Sequence, residues 1–297
     1  MLRTPLCRSD WLSSAAGADV HFKLETLQPT FSYKIRGAWN AVLALGERGT
    51  APDLVTASAG NHGRALAVAA RDAGLKLIVY VPATAPQVKV AAIRATGAQI
   101  RTAPDYDEAE QQAENEARRS GAYYISPYAH PDVIAGAGTI ALEVLEDLPD
   151  VDTIVVPVGG GGLISGTAVA VADSGTTVLG VEAQASSPFT RSLAAGHVVP
   201  ISVGPTLADG LAGNLDPGSI TFEIVKTRVH GITTVTEEEI RFAIRGVLEE
   251  EHLVVEGAAA TAIAAVLSGC LKPEGTRRVA VILSGANIDP ATLRTII

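Results

Sequence analysis

A lysine set among apolar neighbours, in Phe31-Ser32-Tyr33-Lys34-Ile35-Arg36-Gly37-Ala38, is the first candidate for chemistry in this 297-residue chain. Desolvation among Phe31, Tyr33 and Ile35 removes the hydration that stabilises an ammonium ion and so favours the neutral amine. A neutral amine attacks carbonyls and can form a Schiff base with an aldehyde. A surface lysine beside Arg36 would fit the same residues, so Lys34 gains its weight from three segments downstream.

The first is Ser58-Ala59-Gly60-Asn61-His62-Gly63, between the strand-like Leu54-Val55-Thr56-Ala57 and a helical pattern. Free N–H groups at such a helix start favour an anion, and small residues let it approach; a turn capped by Ser58 or Asn61 is the plainer alternative. The second is Gly159-Gly160-Gly161-Gly162, between Thr153-Ile154-Val155-Val156-Pro157-Val158 and a helix from Leu163. Consecutive glycines allow the φ > 0 geometry in which several N–H groups converge on a phosphate. Gly160, Gly162 and Gly166, with Glu182 closing the next strand, also approximate a dinucleotide fingerprint, although Ser165 breaks the strict pattern. The third is Ser284-Gly285-Ala286-Asn287, ending the strand Arg278-Val279-Ala280-Val281-Ile282-Leu283 at the edge where ligands of parallel sheets sit. An ordinary Ser-Gly turn before a helix at Asp289-Pro290 is equally compatible.

The elements that must hold these segments alternate. Strands are predicted at 20–24, 54–57, 77–81, 98–101, 122–125, 153–158, 177–182, 232–235 and 278–283. Helices are predicted at 36–46, 62–73, 87–96, 107–120, 136–147, 163–173, 237–251 and 256–268. That order implies an α/β fold of parallel sheets with helices on both faces. The stretch 184–222, rich in Ser, Gly and Pro, is the one long unpatterned segment and a candidate cover for a site. Hydrophobic residues make up 47% but aromatics only 4%, so Ala, Val, Leu and Ile must fill the core.

A net charge of −9 argues against nucleic acid and anionic membrane as partners. Cys7 and Cys270 form no disulfide framework and no zinc motif, which suits a reducing compartment. No signal-peptide pattern opens the chain, and the best apolar run, around 253–271, is interrupted by Glu256. A cytoplasmic protein is expected.

Lys34, the 58–63 loop, the glycine run and Ser284, in this order over nearly the whole chain, resemble the pyridoxal-phosphate enzymes of the tryptophan-synthase-β fold (fold type II), and among them the threonine/serine dehydratases and serine racemases. The resemblance implies two open, mostly parallel twisted sheets flanked by helices. A smaller domain at 51–128 is expected to be inserted in a larger one from 1–50 and 129–297. It implies Lys34 as the catalytic lysine, bound to pyridoxal 5'-phosphate and acting as base. Gly159, Gly160, Gly161 and Gly162 are matched to the cofactor's phosphate, Asn61 to its phenolic oxygen and Ser284 to its pyridine nitrogen. Ser58, Ala59, Gly60, Asn61 and His62 are matched to the substrate carboxylate.

A hydroxyl at the pyridine nitrogen cannot keep it protonated, so elimination from a β-hydroxy amino acid such as L-threonine or L-serine is the natural outcome, giving a 2-oxo acid and ammonia. A racemase, a β-replacement synthase or a 3-hydroxyaspartate dehydratase of the same fold is the alternative. A nicotinamide oxidoreductase is the alternative of a different class, and an amino-acid sensor that has lost its chemistry a third. The family usually forms dimers, so a homodimer is expected.

Departures from the family pattern carry information. Ala59 stands where serine racemases have a second serine on the opposite substrate face. Glu182 matches the first ligand of a racemase cation site but Pro188 stands at the later Asp, so no tight metal site is expected. Phe31 replaces the usual Gly, Tyr33 the usual Phe, and Ala137 a common Gln. Glu256 and Asp209 are further candidates for the site's border, each with an ordinary helix-start or turn role as the alternative. His62 and His130 are expected to be structural or surface groups rather than acids or bases. The chain ends soon after Asp289, so no C-terminal regulatory domain is expected.

Overall fold

The computed structural model describes residues 1–269 and 277–297; Cys270 and the end of the apolar run lie outside them. The described residues fall into two compact units, one formed by Lys34–Gly136 with Met1, the other by Leu2–Tyr33 with Ala137–Ile297.

The Lys34–Gly136 unit opens on α2 (Lys34–Glu47) and alternates β3 (Leu54–Ala57), α3 (Asn61–Asp72), β4 (Leu77–Pro82), α4 (Gln87–Arg94), β5 (Gln99–Ala103), α5 (Tyr106–Ser120) and β6 (Tyr123–Tyr124). Its four strands are all parallel, in the order β5-β4-β3-β6. Alternate residues of these strands serve two cores, as a period of two demands. Leu54, Leu77, Val79 and Val81 pack with α2, α3 and α4, while Val55, Ala57 and Tyr80 pack with Ala109 and Ala113 of α5.

The other unit begins with β1 (Leu6–Arg8), α1 (Asp10–Ala16) and β2 (Asp19–Leu24). After α6 (Pro131–Asp147), in which the unit boundary falls, come β7 (Thr153–Pro157), α7 (Gly162–Ala170), β8 (Thr177–Ala183), α8 (Pro188–Ala195) and α9 (Ile220–Arg228). Then follow β9 (Gly231–Val235), α10 (Glu237–Glu251), α11 (Gly257–Leu267), β10 (Arg278–Leu283) and α12 (Pro290–Arg294). The strand order is β1-β2-β10-β7-β8-β9, parallel except for β1 against β2. Val155, Val279, Val281 and Leu283 face α1, α10 and α11, whereas Ile154, Val156, Ala280 and Ile282 face α6, α7 and α9. The molecule is therefore an α/β protein with two mostly parallel sheets flanked by helices.

The predicted strands and helices are present, with ends shifted by a few residues. The stretch 184–222 is not structureless: it contains α8 and the start of α9. Pro188 at the first turn and Gly196 in the left-handed conformation bound α8, and its first N–H groups are taken by Glu182 at the end of β8. Short β1 and α1 also went unpredicted, whereas α12 begins at the Asp289-Pro290 helix start that the sequence offered. No helix among the described residues is long and apolar enough to cross a membrane.

A buried polar cluster joins the N-terminus to β2. The Lys23 ammonium, fully buried, lies 2.6 Å from a Glu143 carboxylate oxygen and donates to the Thr4 carbonyl at 2.6 Å. Thr4 donates to Glu25 at 2.6 Å, and Gln28 donates to Glu25 and to the Leu2 carbonyl. Removing one partner of a buried ion pair leaves the other charge poorly compensated. Lys23→Ala is expected to lose about 3 kcal/mol of stability, measured by denaturant unfolding beside the unaltered protein.

Candidate active-site residues

In the Lys34–Gly136 unit the candidate residues gather at the carboxyl edge of the four-stranded sheet. Lys34 is the first residue of α2, half-buried, and its ammonium donates to the Pro127 carbonyl at 2.8 Å. Pro127 follows β6, whose exit is tied to β3 by Ile125 N–H to Val55 and by the Thr56 hydroxyl to the Ile125 carbonyl at 2.8 Å. The loop from Ser58 to Gly60 leaves β3 at the same edge, with Ser58 N–H bonded to the Tyr80 carbonyl at 3.0 Å.

Asn61 opens α3, and Gly60 at its N-cap offers no side chain to the helix's first N–H groups; its own N–H goes to Ser58 Oγ at 3.3 Å. A helix start lacking a side-chain cap on small, half-buried residues is suited to receive a carboxylate. Gly63 is required because any Cβ there would collide with the Ser58 carbonyl oxygen.

His62 is 2% exposed and neither ring nitrogen has a hydrogen-bond partner. Burial, aided by the nearby Lys34 charge, pushes it down to about 3, while the Ile125 carbonyl opposes and His130 adds a smaller push. His130 has a plainly structural role. Its Nδ1 accepts the Asp132 N–H at 3.2 Å and its Nε2 lies 3.0 Å from the Tyr123 hydroxyl, and burial lowers it despite Asp132.

In the other unit, β7 and β10 are parallel neighbours, so the glycine loop after β7 and Ser284 after β10 emerge at one edge. Gly159 and Gly160 are half-buried, and Gly161, at φ 85°, is the N-cap of α7, which has no side-chain cap. A left-handed residue followed by a helix aims successive N–H groups into one concavity. Gly161 has no alternative there: a Cβ would lie 2.5 Å from Phe189 Cζ.

Ser284 is 3% exposed, and its carbonyl accepts the Tyr33 N–H at 2.9 Å. Residues 30–33 run antiparallel to 284–287. Ser32 bridges Gly285, Ala286 N–H reaches the Phe31 carbonyl at 2.9 Å, and the Asn287 amide reaches the Thr30 carbonyl at 2.9 Å. Phe31 holds φ 57° with its side chain half exposed. This is left-handed backbone that costs an L-residue roughly 1–2 kcal/mol.

Glu256 precedes α11. Its N–H bonds the Gly285 carbonyl at 3.0 Å and its carboxylate accepts the Asn287 N–H at 3.2 Å, placing it against the Ser284 segment. Asp209, in contrast, starts an exposed 3-10 turn.

Glu182 has a structural role in this fold. It is fully buried and caps α8: Oε1 accepts Phe189 N–H at 2.8 Å, and Oε2 accepts Thr190 N–H at 2.9 Å and Thr190 Oγ1 at 2.6 Å. Burial pushes its carboxyl up to about 7 against those three bonds. No group of three or more His, Cys, Asp or Glu able to hold a metal occurs among the described residues. Phe189 and Thr221 lie against the glycine loop, and Glu182 caps the helix that carries Phe189, although no motif marked Phe189 or Thr221; a buried acid before a proline-led helix was the available signal.

The His62 shift has a consequence for folding. Its native pKa lies below the unfolded value of about 6.5, so below that pH the unfolded chain takes up a proton that the native chain refuses. Stability should fall as pH drops from 6.5 towards 3, by about 2 kcal/mol at pH 5 from this group. Unfolding curves of His62→Leu are expected to lack that part of the pH slope.

The chain matches the sequence profile of the pyridoxal-phosphate dependent enzymes over residues 1–285. It is 43% identical to the L-threonine ammonia-lyase of Thermotoga maritima over 290 residues, covering 97% of this chain and 72% of that protein. With the L-threonine ammonia-lyase of Geobacter sulfurreducens the identity is 41% over 298 residues, 99% of this chain and 74% of the relative. The solved structure of maize serine racemase superposes with a TM-score of 0.92 at 32% identity, covering 99% of this chain and 91% of that one. With these likenesses the nicotinamide reading falls, and the chain belongs to the pyridoxal-phosphate dependent enzyme family.

Proposed function

We propose that the chain is a pyridoxal-phosphate-dependent dehydratase (ammonia-lyase), converting a β-hydroxy amino acid such as L-threonine or L-serine to a 2-oxo acid and ammonia. The residues fit the cofactor. The α7 start without a side-chain cap and the cradle that a Cβ at Gly161 would fill suit its phosphate. A half-buried lysine amine suits its aldehyde, and a buried serine at a strand's carboxyl end suits its ring nitrogen. When bound, pyridoxal phosphate draws electrons away from the substrate's α-carbon.

The protein's own groups do the rest. Lys34 would hold the cofactor through its aldehyde and, once freed, would take the α-proton as general base. By the resemblance, Gly159, Gly160, Gly161 and Gly162 would hold the phosphate, Asn61 would meet the phenolic oxygen and Ser284 the pyridine nitrogen. Ser58, with the amides of Ala59, Gly60, Asn61 and His62, holds the substrate carboxylate and thereby orients the bond to be broken. His62 is buried with its ring unpaired, so its contribution is backbone and shape, not proton transfer. We place the enzyme in the cytoplasm as a homodimer, in keeping with its two cysteines and the habit of similar enzymes.

The observation that carries the reading is the setting of Lys34: a lysine amine held at a sheet's carboxyl edge, 2.8 Å from the Pro127 carbonyl, beside an anion-binding loop in which position 59 is alanine. One base with no hydroxyl at position 59 can eliminate but cannot readily return a proton to the opposite face. The likeness to maize serine racemase supports racemisation as the second reading.

Release of 2-oxo acid and ammonia from a panel of β-hydroxy amino acids is expected in equal amounts, falling by about a thousandfold or more in Lys34→Ala. Racemised substrate without keto acid would favour the second reading. No release from any member would overturn the dehydratase.

A further inference from the structure

Four consecutive glycines are the most permissive backbone available, and an anion site built on them loses affinity to the entropy of ordering them. Something outside the loop must select its conformation. Three buried side chains do so, all within the unit formed by 2–33 and 137–297.

Thr221, fully buried at the start of α9, donates its hydroxyl to the Gly160 carbonyl at 2.9 Å and lies 2.7 Å from Ser219 Oγ. Because the peptide unit is planar and trans, fixing the Gly160 carbonyl towards Thr221 turns the Gly161 N–H to the opposite side. Phe189, also fully buried, presses its ring where a Cβ of Gly161 would be, 2.5 Å from Cζ and 2.8 Å from Cε2. The ring fills the space beside the Gly161 backbone and so limits the loop's excursions towards α8. Phe189 is held in turn by Glu182, whose two oxygens take the Phe189 and Thr190 N–H groups at the start of α8.

We infer that Glu182, Phe189 and Thr221 are positioning residues for the phosphate loop: they fix the direction of its N–H groups before any ligand arrives, and touch neither substrate nor cofactor themselves. The inference rests on the reading that 159–162 holds the cofactor's phosphate. It gives Glu182 a role made wholly of protein hydrogen bonds, independent of any cation.

The test compares the affinity of the apoprotein for pyridoxal 5'-phosphate and for pyridoxal, which keeps the aldehyde and ring but lacks the phosphate. Thr221→Val preserves volume and removes the donor, Phe189→Leu removes the ring, and Glu182→Gln replaces one acceptor oxygen with a donor. Each is expected to weaken pyridoxal phosphate by roughly tenfold, the worth of one good buried hydrogen bond, while leaving pyridoxal unchanged and chelators without effect. If the unaltered protein prefers pyridoxal phosphate and the variants keep that preference, or lose both ligands equally, the inference is overturned. If the unaltered protein shows no preference, the phosphate reading of the loop falls and takes the inference with it.

Discussion

The antiparallel clamp between residues 30–33 and 284–287 is the contact on which the candidate chemistry depends. Tyr33 N–H to the Ser284 carbonyl, Ala286 N–H to the Phe31 carbonyl and the Asn287 amide to the Thr30 carbonyl join segments 257 residues apart at the last of these bonds. They set the backbone immediately before Lys34 against the strand end that carries Ser284. The left-handed turn at Phe31 is the cost of bringing the chain into that pairing, and its strain of roughly 1–2 kcal/mol persists because the flanking bonds over-determine it. Glu256, bonded through its own N–H to Gly285 and through its carboxylate to Asn287, locks the other side of the same segment.

Both units build their candidate anion loop in the same way. A parallel strand ends, a short run of small residues follows, and a helix begins without a side-chain cap, at Gly60-Asn61 in one unit and Gly161-Gly162 in the other. The supports differ. Around the first loop the backbone does the work: Ser58 N–H is held by the neighbouring strand, and its carbonyl folds so close over α3 that only glycine fits at 63. Around the second, where four glycines remove any intrinsic preference, side chains from α8 and α9 supply it.

That difference also decides what could be read from the sequence. The alternation of β-branched runs with amphipathic stretches was enough for the parallel sheets, because local period and burial agree there: Ile154 and Val156 face one core and Val155 the other. Lys34, the 58–63 loop, the glycine run and Ser284 were visible because each lies on a strand exit or helix start with its own residue signature. The supports were not. Phe189 and Thr221 lie in a Ser-, Gly- and Pro-rich stretch with no periodic pattern, where α8 forms because Glu182 caps it from the end of β8. The same carboxylate could be taken for a ribose acid or a cation ligand in sequence, since both roles ask for an acid after a strand. Only the two amides on its oxygens distinguish a cap from a ligand. His62 illustrates a related limit: the sequence places it at a helix start, but its complete burial is a tertiary fact.

Which reaction such a site performs turns on how many groups can handle the α-proton. On the proposed reading, a lysine amine on one face with alanine at position 59 leaves one route for that proton. Once it is gone, the electrons must either return to the same face, which changes nothing, or expel the β-substituent. If Ser284 meets the ring nitrogen as proposed, a hydroxyl in place of a carboxylate would hold those electrons weakly and shorten the time available for a proton to arrive from solvent on the other side. Both features press towards elimination, and neither selects the side chain eliminated.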